Sequence, residues 1–197
     1  MRSCLSTSFY TLTCGGEFTI PSIEGFNPTI HLKHSDVWHQ QDHHGFKVTV
    51  FNIPHMKCSK DGEDVYFAAQ TGLVNPLAEL NNQYTINNSP MNAHLFTYHH
   101  GNSHRPLAKH AFMNRINAIT ASLGLESLKG HRIHIGGTLE YLLHGVLFDV
   151  VKSMGCWSSE AFMLYLCRHA MIMAPYLQAH PVLETFMHYT MLPIWHC

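Results

Sequence analysis

The sequence predicts an α+β domain, mostly helical, with a small three-stranded antiparallel sheet. Three observations carry this. Residues 46–53 alternate through Lys47-Val48-Thr49-Val50-Phe51-Asn52-Ile53, the period of a half-buried strand. Ser59-Lys60-Asp61-Gly62 supplies turn chemistry before a third extended stretch. From Pro106 onward, apolar residues recur at helical spacing. At 197 residues, 46% hydrophobic and 13% charged, the chain suits one domain with a substantial core.

In chain order, residues 5–12 read as the end of an apolar helix or strand, and Gly15-Gly16 as a helix C-cap. Residues 30–37, 46–53 and 64–69 read as strands, with 59–62 as the hairpin turn between the last two and Lys57 at the end of the strand leading into it. Residues 75–91 read as a loop rich in Asn, Pro and Ser, holding at most a short helix over 76–81. Pro106 suits the first position of a helix with Phe112, Ile116, Ile119 and Leu123 on one face, ended by Gly124. Gly136-Gly137 reads as a break. Thr138 then opens a helix that Gly145 stops, and a short helix over 148–154 turns Val150 and Val151 inward. Ser158 is a suitable N-cap for a last helix carrying Phe162, Tyr165, Leu166, His169 and Met173.

The composition restricts function. Six scattered cysteines without CxxC spacing argue against a disulfide framework or zinc module and for reduced thiols in an intracellular protein. No apolar run is long enough to span a bilayer, and the first residues lack a secretion pattern. Net charge is −1 with 12 Lys plus Arg, weak electrostatics for holding nucleic acid. The 18 histidines are the oddest feature.

One stretch carries chemistry: Gly130-His131-Arg132-Ile133-His134-Ile135-Gly136-Gly137-Thr138, followed by Gly155-Cys156-Trp157 and, eight residues beyond the tryptophan, Tyr165. In this order and spacing it resembles the catalytic domain of tyrosine recombinases (integrases), in particular integrase-like domains of fungal mobile elements. The likeness runs from about Leu5 to Met173. It implies Tyr165 as nucleophile, His131 as acid/base or donor, Trp157 as indole donor, and Lys57 as general acid. In that family no metal or other cofactor takes part. The tyrosine attacks phosphorus to leave a 3′-phosphotyrosyl link while two arginines clamp the phosphate. The solvated hairpin lysine and the buried core aromatic are the plain alternatives for Lys57 and Tyr165.

The two arginine positions hold Cys14 and His134, and Glu17 matches the acidic residue that follows the first. Neither substitute offers a permanent cation. Losing one preorganised donor costs about 100- to 1000-fold in rate, so losing both clamps implies an impaired copy. Arginine is usual in the resembling sequences where this chain has Cys14, His134, His144, Cys156 and Cys167, a pattern that single C-to-T changes in CGN codons produce. The resemblance further implies weak DNA binding, a homo-oligomer, nuclear action and an absent N-terminal DNA-clamping domain. Two rivals remain: a non-catalytic DNA-binding or interaction remnant, and metal binding by His131-x-x-His134 or the run His31, His34, His39, His43, His44.

Overall fold

A computed structural model describes residues 1–57, 59–155 and 174. The architecture is α+β. In order, the elements are α1 (Arg2–Tyr10), β1 (Val37–Gln41), β2 (Lys47–Ile53), β3 (Glu63–Phe67), α2 (Pro76–Asn87), β4 (Tyr98–His100), β5 (Ser103–Arg105), α3 (Lys109–Ser122), α4 (Gly130–Leu143) and α5 (Phe148–Met154). β1, β2 and β3 form an antiparallel sheet in that order, with Val37 opposite Phe51 and Phe51 opposite Val65. β4 and β5 form a separate hairpin.

The middle strand forms where the alternation places it, but its burial does not alternate: Thr49, Val50 and Phe51 are buried in succession, as in a central strand covered on both faces. Ile53 is also buried, and Asn52 is exposed. The first strand lies elsewhere than expected. Residues 30–37 do not form it; β1 begins at Val37, and Leu32 and His34 before it are buried in non-strand backbone. The Leu32 carbonyl accepts from the Leu95 amide instead, so Leu32 is buried because it meets the core and not because it pairs in the sheet, while Ile30 is exposed.

The core gathers Phe18, Leu32, Phe51, Phe67, Leu80, Leu95, Phe96, Phe112 and Ile133 from every layer. Phe18 stands at its middle, with its ring centroid 5.9 Å from those of Phe51 and Phe96 in edge-on contact. α1 is central but not apolar: its buried residues are Ser3, Cys4, Ser6, Thr7 and Ser8. Such short side chains let backbones approach closely. The Thr11 hydroxyl folds back onto the Thr7 carbonyl at 2.8 Å, and that of Ser6 onto Ser3 at 3.0 Å.

Several expected boundaries move. Residues 75–91 are mostly helix: Asn75 caps α2 by accepting from the Leu77 and Ala78 amides, Pro76 opens it, and Asn88 closes it in left-handed conformation. α3 starts at Lys109 and not at Pro106, because residues 107–109 bridge to Ile20. Its buried face is Phe112, Ile116 and Thr120, while Ile119 and Leu123 face solvent. Gly124 ends it with φ of +69°.

α4 runs unbroken through Gly136-Gly137, and Thr138 lies inside it with its hydroxyl on the His134 carbonyl. The glycine pair is a crossing point and not a break. A Cβ on Gly137 would collide with the Phe9 backbone oxygen of α1. In α5, Val151 is fully buried but Val150 is exposed.

Candidate active site

The site grows from the turn after α1. Leu12 adopts φ of +53°, and the chain then closes on itself: Glu17 N–H donates to the Cys14 carbonyl at 2.9 Å, and the Thr19 hydroxyl to the Gly15 carbonyl at 2.8 Å. The left-handed residue after the helix is thus Leu12, and Gly15-Gly16 is no C-cap. The glycines serve close approach instead. A Cβ on Gly15 would sit 3.2 Å from the Phe112 ring, and one on Gly16 3.5 Å from Lys109 Nζ. Ile20 N–H donates to Leu107 O at 3.1 Å and Lys109 N–H to Ile20 O at 2.8 Å, which ties the turn to the start of α3.

Against this turn stands His134 of α4. Its Nδ1 is 3.8 Å from Cys14 Sγ, although the two residues are 120 positions apart. These are the two positions at which the recombinase resemblance leads one to expect arginine, and the fold brings them together. His134 is 7% exposed. Burial, with the nearby charge of His131, lowers its pKa to about 4. The sequence alone suggested a fractional imidazolium; the folded environment removes even that near neutrality. His131 lies one helical turn earlier on α4 and is exposed.

Glu17 faces the cations. Its carboxyl is raised above the usual carboxylate range by burial, opposed by the Lys57 backbone amide and by the charges of Lys57, His55 and Lys109. Lys57 therefore belongs to the neighbourhood of Cys14 and Glu17. It is not at a strand end: β2 stops at Ile53, and Lys57 projects, exposed, from the following loop. That loop is held by buried Met56, whose amide donates to Ser59 O at 2.8 Å, and by Gly62 at φ of +82°, where a Cβ would lie 2.6 Å from Ile53 O. Trp157 and Tyr165 lie outside the described residues, as do Cys58, Cys156 and Cys167.

His55 was not legible as a site residue, and Lys109 was legible only as a helix cation able to touch phosphate, with solvated surface charge the plainer role. The closeness of Lys109 to Gly16 depends on the Ile20–Ala108 bridge, a contact between distant parts of the chain.

Comparison with protein-family models and with curated proteins returns no match. Among the described residues, no three His, Cys, Asp or Glu side chains converge to hold a metal ion. The histidine run is otherwise engaged: His34 Nε2 meets Leu95 O and Ser89 Oγ at 3.1 Å each, and His39 Nδ1 lies 3.2 Å from Thr49 Oγ1. No helix among the described residues is long and apolar enough to cross a membrane.

Proposed function

We propose that the chain is a catalytically impaired tyrosine-recombinase-like domain whose Cys14–His134 face is directed at a DNA phosphodiester. The observation that carries the reading is the 3.8 Å approach of Cys14 to His134, the two arginine positions of the family resemblance. The two residues are 120 positions apart, and a common role at one phosphate is a reason for them to meet. The position of Lys57 and Lys109 around Glu17 supports the same reading, since it leaves cations beside the turn that carries Cys14.

On this reading His131 donates to the phosphate, Lys57 protonates the leaving 5′ oxygen, Trp157 supplies an indole donor and Tyr165 attacks phosphorus. The deficiency is electrostatic. A thiol and a neutral imidazole replace two permanent cations where charge develops in the transition state. The wild-type chain is accordingly expected to form no measurable covalent DNA adduct.

The test is restoration. Cys14→Arg combined with His134→Arg, given a nicked duplex that traps the covalent intermediate, is expected to yield a 3′-phosphotyrosyl adduct that Tyr165→Phe abolishes. An inert restored protein that remains folded refutes the decayed-catalyst reading. A DNA-binding remnant is the second reading, favoured by the lysines around Glu17. It predicts salt-dependent duplex binding that Lys57→Gln and Lys109→Gln each weaken, with the slope of log K against log salt falling by about one.

A further inference from the structure

The β4–β5 hairpin holds a pair of histidines unrelated to the Cys14 site. His99 and His104 are directly opposed in the strand register, exposed to solvent, with ring centroids 4.3 Å apart and planes inclined by 37°. Asn87, the last residue of α2, organises both. Its backbone oxygen meets His104 Nε2 at 2.8 Å, and its side-chain oxygen accepts the His99 amide at 3.1 Å. Its own amide nitrogen is fixed on Gln83 O at 3.0 Å, and Asn87 is buried.

The tautomer follows from the partner. A carbonyl oxygen only accepts, so the His104 proton resides on Nε2 and the neutral ring presents a bare Nδ1 lone pair. An imidazole whose other nitrogen donates to a backbone carbonyl is the usual arrangement of a metal-ligating histidine. It fixes ring orientation before any ion arrives.

The ring separation selects among metals. With metal–nitrogen bonds of about 2.0–2.1 Å and the ring centroid about 1.1 Å behind the nitrogen, two imidazoles at a right angle have centroids about 4.5 Å apart, against about 5.2 Å at a tetrahedral angle. The observed 4.3 Å is compatible with the right angle and shorter than the tetrahedral spacing. We propose that His99 and His104 form a two-imidazole site for a divalent ion with tetragonal preference, Cu²⁺ or Ni²⁺, with water completing the coordination. Cu²⁺ binds tighter of the two, following the general order of divalent affinities, and tetrahedral Zn²⁺ fits less well.

The experiment is Cu²⁺ titration of the full chain, followed by electron paramagnetic resonance and competition with a chelator of known affinity. Wild type is expected to fill one strongest site with nitrogen ligation. His99→Gln and His104→Gln, both on the exposed hairpin, should each lower its affinity at least about tenfold, the low end of what disturbing even a ligand's supporting shell costs. His43→Gln, in another exposed histidine pair, should leave it unchanged. If either hairpin variant binds Cu²⁺ as wild type does, the ion is adventitious on a histidine-rich surface and the site is refuted.

Discussion

Gly137→Ala tests the central packing claim, that the Gly-Gly pair is where α1 and α4 cross. A Cβ there would lie 2.8 Å from Leu12 Cδ2 and well inside contact of the Phe9 carbonyl oxygen. The obstructing oxygen is backbone, so no rotamer relieves it, and α1 would have to retreat by roughly an ångström. Overpacking of this kind costs about 1–3 kcal/mol, here at the upper end because a whole helix must move. Alanine recovers about 1 kcal/mol of helix propensity, leaving a net loss of about 2 kcal/mol. For a chain of this size that lowers Tm by about 4–8 °C.

Gly136→Ala is the internal control. Its Cβ would meet the Phe9 ring edge at 3.2 Å, an atom at the far end of a side chain that can give by a few tenths of an ångström. It should be neutral or stabilising by up to about 1 kcal/mol. Urea unfolding and thermal melts of both variants decide the matter. A Gly137→Ala protein as stable as wild type, or indistinguishable from Gly136→Ala, refutes the crossing.

Stability should fall as pH drops from about 6.5. His94, with a pKa lowered to about 3 by burial and by His31 and His34, and His134, lowered to about 4, stay neutral in the fold, while the unfolded chain protonates both near 6.5. The unfolded state thus binds more protons in this window. Each histidine contributes a slope of up to about 1.4 kcal/mol per pH unit, lost as pH falls toward its folded value. Urea midpoints between pH 6.5 and 5, above the range of ordinary carboxylates, measure it; a flat profile there contradicts the burial. Asn75→Ala removes the α2 cap and should cost about 1 kcal/mol with an unchanged m-value, read by urea denaturation. Cys4, fully buried with its thiol pushed up to about 12, should resist a thiol reagent until the chain unfolds, whereas half-buried Cys14 labels in the native state. Peptide mass mapping distinguishes the two.

The legible parts of the sequence are those set by local chemistry. Lys47–Ile53 became the middle strand because its β-branched and aromatic side chains suit a pleated, buried surface, although Thr49, Val50 and Phe51 are buried in succession and not alternately. Gly124 and Gly145 ended helices because their backbone turns left-handed, at φ of +69° and +78°. Asn75 to Asn88 was misread because asparagine signals loops on average, yet the same residue type caps a helix when one stands at each end.

Motif order alone pointed to Cys14, Lys57 and His134 as residues of one site, and two of them do meet. What it could not convey was their environment. The lowered pKa of His134, the raised carboxyl of Glu17 and the arrival of Lys109 beside Gly16 all depend on burial and on pairings between distant segments. The sequence by itself determined the α+β class and the place of the middle strand, because residue identity and period are local properties. Tertiary structure decided that Gly136-Gly137 is a helix crossing, that α1 is buried through serine and threonine, and that His134 is held neutral. Those outcomes are set by what lies within a few ångströms in space, and neighbours in space are not neighbours in the chain.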